Sequence, residues 1–170
     1  MDSRFEHATQ DAYDMMEKIR EKSFEELANA KIMILFDTKI RLKGSKVVLG
    51  RMMKANDLIR RLTENFSPEG CDYVLFIDKI AWLNMKEKEK IRLVRHELRH
   101  CKYNPFAKNP WQIEPHDIED FEVEVELNKD DIGWAKRVAE LVFYIYGQEK
   151  EKAEKPAKEQ RKRKAAGENE

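Results

Sequence analysis

The stretch RLVRHELRHCKY, residues 92–103, carries two histidines four positions apart with a glutamate directly after the first. It lies in a segment, 87–103, whose acidic start and following Pro105 mark it as a helix. At about 100° per residue, Ile91, Val94, Leu98 and Cys101 cluster within roughly a quarter turn, while His96 and His100 lie about 40° apart on the far side. A helix of this kind needs a core on one face and an open site on the other, so the rest of the chain has to fold around it.

Two imidazoles one turn apart can reach the same ion, and Glu97, rotated about 100° from His96, can approach a water on that ion without ligating it. With zinc there, the water's pKa falls toward about 7. Glu97 then takes its proton, directs attack on a polarised carbonyl and later returns the proton to the leaving amine. The competing reading is a solvated charged helix in which H-E-x-x-H arises by accident.

A catalytic zinc requires a third protein ligand. The other histidines are His7, in a terminus expected to be mobile, and His116 in EPHDIEDF, sixteen residues past the motif. His116 is the first choice, with Glu119, Asp120 and Glu124 as carboxylate alternatives. Asp117, Glu119 and Asp120 can also hold a ligating histidine through its other ring nitrogen, or can simply be acids at the start of a helix near 117.

The flanking segments supply the core. Ala12, Met15, Met16 and Ile19 have helical spacing, and Ser23 with Glu26 reads as a capping box for a second short helix. KIMILF (31–36) and VVLG (47–50) read as a hairpin about the Lys43-Gly44-Ser45 turn. A helix carrying Leu58, Ile59 and Leu62 follows, then DYVLFID (72–78), the strongest strand candidate. KYNPFAKNPWQIEP reads as irregular, and Ile132, Ala135, Val138, Ala139, Val142, Ile145 and Tyr146 form the broad apolar stripe of a last helix.

With 170 residues and 41% apolar content, one domain over 1–148 is expected. From Glu149 the composition is charged with almost nothing apolar beyond alanine, which reads as a frayed helix end and a disordered tail over 149–170. The 33 basic and 33 acidic residues cancel, so no global field draws the chain to nucleic acid or membrane. Two cysteines, no signal peptide and no bilayer-spanning apolar run point to a reducing cytoplasm and free thiols.

The order strand, motif helix, loop, histidine resembles the SprT-like and Spartan group of zincin metallopeptidases. The blocks ILFDTKIRLKG, YVLFIDKIAW, IRLVRHELRHC, NPW and PHDIEDF resemble more closely the putative phage metallopeptidase family of bacteriophages and prophages, over about residues 23–147. The resemblance implies an α+β zincin-like domain, its small sheet packed on the motif helix, with additional helices at both ends. It implies Zn2+ held by His96, His100 and His116, Glu97 as general base, and a bacterial host cytoplasm as the setting.

It also implies an extended protein or peptide substrate laid along the strand before the motif helix, at Tyr73, Val74, Leu75, Phe76 and Ile77. A buried strand packed on the helix is the alternative for those residues. Spartan-like kinship suggests proteins bound or crosslinked to DNA as one substrate class, although the sequence has no recognisable DNA-binding module. No oxyanion donor is identifiable; Tyr103, Arg99 and Trp111 are near enough in sequence to be considered. Two other readings remain: a regulatory zinc protein retaining the fold, which would have no need of Glu97, and a nucleic-acid-binding module using Lys39, Arg41, Lys43 and the RKRK run at 161–164.

Overall fold

Two strands in the sequence are apolar on both faces, and both lie in the middle of the sheet. In the computed structural model, which describes residues 3–116 and 120–165 with side chains to 154, β2 (Ile32–Asp37) and β6 (Tyr73–Asp78) pair in parallel. Their near-continuous apolar runs are what a strand covered on both sides requires. β1 (Phe5–His7) adds antiparallel to β2 and β5 (Gly50–Lys54) adds antiparallel to β6, giving the order β1-β2-β6-β5.

Alternation along these strands divides the core in two. Ile32, Ile34, Phe36, Tyr73, Leu75 and Ile77 face the main core with α1 (Gln10–Ser23) and the motif helix. Met33, Val74, Ala55 and Cys71 face a smaller cluster that includes Ile59 of a short helix, α2 (Asp57–Leu62), whose first turn is capped by Asn56 accepting the Ile59 N–H at 2.9 Å. After β6, Asp78 caps α3 (Lys79–Asn84), accepting the Ala81 N–H at 2.8 Å, and α3 leads into α4 (Glu87–Arg99). Glu89 closes the start of α4 by accepting the Lys86 backbone N–H at 2.9 Å.

Beyond α4, β7 (Cys101–Tyr103) and β8 (Trp111–Ile113) form a separate two-stranded ribbon, followed by α5 (Glu122–Leu127) and α6 (Trp134–Ala165). One edge of the α6 stripe packs inward, through Trp134, Val138 and fully buried Val142. The Tyr146 hydroxyl donates to Asp78 at 3.3 Å, tying α6 to the end of β6. Among the described residues no helix is long and apolar enough to cross a membrane, and both cysteines are buried free thiols.

Several sequence expectations change here. The Gly44-Ser45 turn exists, with Gly44 at φ +63°, but it joins strands of only two residues, β3 (Leu42–Lys43) and β4 (Lys46–Val47); β2 pairs with β1 and β6 instead. The segment after Ser23 is a single 3-10 turn, Glu25–Leu27, and α4 stops at Arg99 because the chain at Cys101 turns into β7. His7 sits in β1 opposite Leu35. Helical backbone continues through 149 to Ala165, since Ala, Glu, Lys, Gln and Arg favour helix even where there is too little apolar surface to pack.

The correction that bears on function concerns β6. It is paired on both sides, so Tyr73, Val74, Leu75, Phe76 and Ile77 offer no free backbone edge to a peptide. The edge of the sheet nearest α4 is β5.

Helix α5 is fastened to α4 by a buried charge cluster. Glu124, with no exposed surface, accepts both carboxylate contacts from Arg95 Nε at 2.9 Å and one from Arg99 Nε at 2.7 Å, while Arg95 also donates to Asn128 at 2.8 Å. Replacing Glu124 by Leu leaves two largely buried guanidinium groups without their anion. Unfolding in urea should show a loss of about 3 kcal/mol.

Candidate metal centre and active site

The last turn of α4 and the residue that caps it, His100, deliver three of the relevant side chains. Its core face, Leu93, Val94 and Leu98, is buried against the sheet, and this places Glu97 inward and His96 and His100 at the rim. Glu97 lies against the first residue of β5. A Cβ added at Gly50 would stand 2.7 Å from Glu97 Oε1 and 3.0 Å from Leu93 Cδ1, so a glycine is needed there for close approach rather than for backbone conformation.

The third histidine arrives because the chain turns back on itself. β7 and β8 pair Cys101 with Ile113, and the next rung is doubled: the Glu114 N–H donates to the His100 carbonyl at 2.8 Å while His100 Nδ1 donates to the Glu114 carbonyl at 2.8 Å. Two residues later His116 reaches the α4 histidines. His96, His100 and His116 each present a ring nitrogen within 4.8 Å of the others, and the Nε2 atoms of His96 and His116 are 3.1 Å apart. Two imidazoles sharing one tetrahedral ion at about 2.0–2.1 Å would stand roughly 3.3 Å apart.

The other ring nitrogens are occupied. His96 Nδ1 meets Asp120 Oδ1 at 2.8 Å, and His100 Nδ1 is held by Glu114 as above. Both arrangements leave Nε2 with its lone pair toward the cluster. Burial lowers the pKa of both His96 and His100, keeping them in the neutral form that binds metal, and for His96 the neighbouring Asp120 acts in the opposite direction. This donor set fits a divalent cation with borderline-soft character.

Glu97 is 4% exposed, and its Oε2 has no hydrogen-bond partner among the described residues. Burial pushes its carboxyl up to about 8, against the Met52 backbone N–H that favours the anion. A buried carboxyl short of one partner beside three converging imidazoles is the arrangement of a group that exchanges a proton. His96, His116, Glu97 and Asp120 line one cleft of about 840 Å³, with residues 45–50 on one wall and Ile132 and the first turns of α6, including Phe143, on the other.

The remaining candidates are placed as follows. Asp117 and Glu119 lie outside the described residues. Glu124 is engaged by Arg95 and Arg99 and does not join the cluster. Arg99 is held there too, Trp111 packs on Tyr73 and Tyr103, and none of Tyr103, Arg99 and Trp111 lines the cleft. Of the basic residues considered for phosphate contact, Arg41 pairs with Asp37 at 3.1 Å. Sequence reasoning missed Gly50, Phe121 and the Arg95–Glu124–Arg99 cluster; only the register of β5 against α4 reveals the first, and no local pattern signals the others.

The raised carboxyl of Glu97 has a measurable consequence for protein stripped of metal. A carboxyl that binds its proton more tightly folded than unfolded contributes stability at low pH and loses it as pH rises between about 4.5 and about 8. Urea midpoints of chelator-treated wild type should fall across that window, and Glu97→Gln should flatten the fall.

The model of one protein family, described as putative phage metallopeptidase, matches residues 3–145. Comparison with curated proteins and with solved structures found no match. The family's description implies a metal, and the matched span contains the three imidazoles able to hold one. Covering most of the chain and every residue of this site, the match shows that the protein belongs to the putative phage metallopeptidase family.

Proposed function

We propose that the protein is a zinc-dependent endopeptidase of the zincin type, acting on protein or peptide substrates in the cytoplasm of a bacterial host. The observation that carries this reading is the buried, half-satisfied Glu97 carboxyl beside three imidazoles that reach one point from two separate chain segments. A structural metal site has no use for such a carboxyl, and burying it without a task costs free energy.

His96, His100 and His116 would hold the ion through Nε2, with Asp120 and Glu114 fixing two of the rings. A bound Zn2+ supplies Lewis-acid polarisation and brings the pKa of water toward about 7. Glu97 accepts the proton of the attacking water at its unpartnered Oε2 and later donates it to the amine leaving group. The missing side chain at Gly50 leaves room for that carboxylate beside β5.

The substrate reading shifts with the fold, from β6 to β5. Leu49 accepts from the Asp78 N–H at 2.9 Å and the Ala55 N–H donates to Asp72 at 2.8 Å, so odd-numbered residues of β5 face β6. Gly50 and Met52 then direct their backbone groups away from the sheet, and Met52 meets Glu97. An extended peptide adding at the Gly50 end of β5 would run past His96 and His116 within the same cleft.

Metal content by mass spectrometry, on protein purified without a histidine tag, tests the site: about one zinc per chain in wild type and much less in His116→Ala is expected. Glu97→Gln should keep its zinc and lose cleavage of an unfolded protein substrate by about 10² or more. Cleavage at the wild-type rate by Glu97→Gln would overturn this mechanism.

A further inference from the structure

The geometry points to Phe121 as a positioning residue for the metal centre, a single aromatic ring against which all three candidate ligands are set. Its ring centroid lies 5.5 Å from that of His96, 4.9 Å from His100 and 5.0 Å from His116, each near edge-on, with interplanar angles of 62°, 65° and 86°. The inference rests on the proposed three-histidine site.

Phe121 is 5% exposed and belongs to neither hydrophobic cluster of the fold, and the three imidazoles are the rings it packs against. The cleft is lined by His96, Glu97, His116 and Asp120, whereas His100 and Phe121 do not line it, so the ring meets the imidazoles from outside the cleft. Edge-on packing of this kind holds ring planes as well as ring positions.

The backing ring is itself firmly held. The Phe121 carbonyl accepts the Glu124 and Val125 N–H groups at 2.9 and 3.0 Å, starting α5, and its own N–H donates to Asp120 Oδ1 at 2.7 Å. Asp120 in turn holds His96, and Glu124 clamps Arg95 and Arg99, which alternate along α4 with His96 and His100. Three consecutive devices on residues 120–124 therefore act on the same turn of α4, and Phe121 is the one that touches every ligand.

Zinc affinity by chelator competition, with the visible spectrum of the cobalt-substituted protein, tests this in wild type, Phe121→Ala, Phe121→Leu and the core control Ile34→Ala. Phe121→Ala should weaken zinc binding by about tenfold or more and alter the cobalt spectrum, with Phe121→Leu intermediate and Ile34→Ala unchanged in both. If both Phe121 variants match Ile34→Ala in affinity and spectrum while wild type binds metal, the positioning role is overturned and the metal site stands. If Phe121→Ala does not fold, Phe121→Leu alone decides between these outcomes. Wild type that binds neither zinc nor cobalt overturns the three-histidine site and this role with it.

Discussion

Glu97 is pressed between its own helix and the backbone of Gly50, and much of the molecule is arranged to make that burial tolerable. A carboxyl out of water and short of a partner is unfavourable by itself, so the packing that surrounds it has to be strong. That packing comes from Leu93, Val94 and Leu98 of α4 set against the parallel pair β2 and β6, with α1 alongside. The same turn that buries Glu97 necessarily brings His96 and His100 to the rim, because helical periodicity separates them by a fixed rotation.

Closing the site requires a second segment to reach the rim, and two devices of different physical kind accomplish it. The β7–β8 ribbon returns the chain in register, ending in the doubled exchange between His100 and Glu114 that sets His116 two residues on. The Arg95–Glu124–Arg99 cluster then fastens α5 to α4 from the other side. The first is backbone hydrogen bonding and fixes distance along the chain; the second is buried charge and fixes the approach of one helix to another. Phe121, at the start of α5, packs against all three imidazoles.

The sequence was most informative where a local period met a chemical requirement. The core and histidine faces of α4 follow from spacing alone, as do the two strands read from IMILF and YVLFID. It was least informative about pairing. Nothing in VVLG says that its glycine will start an edge strand beside Glu97 instead of closing a hairpin with β2, and nothing in KYNPFAKNPWQIEP announces a ribbon. The expected substrate strand fails for the same reason: an apolar run looks alike whether one of its edges is free or both are taken.

What the sequence determined by itself is the chemistry on offer: two imidazoles and a carboxyl on one helical turn, and a further histidine close enough downstream to join them. Those facts depend on residue identity and on a helix geometry that neighbours hardly alter. Only the tertiary structure decided which histidine joins, which strand borders the cleft, and which aromatic ring lies behind the imidazoles. Each of these is a contact between segments whose separation along the chain carries no information about their separation in space.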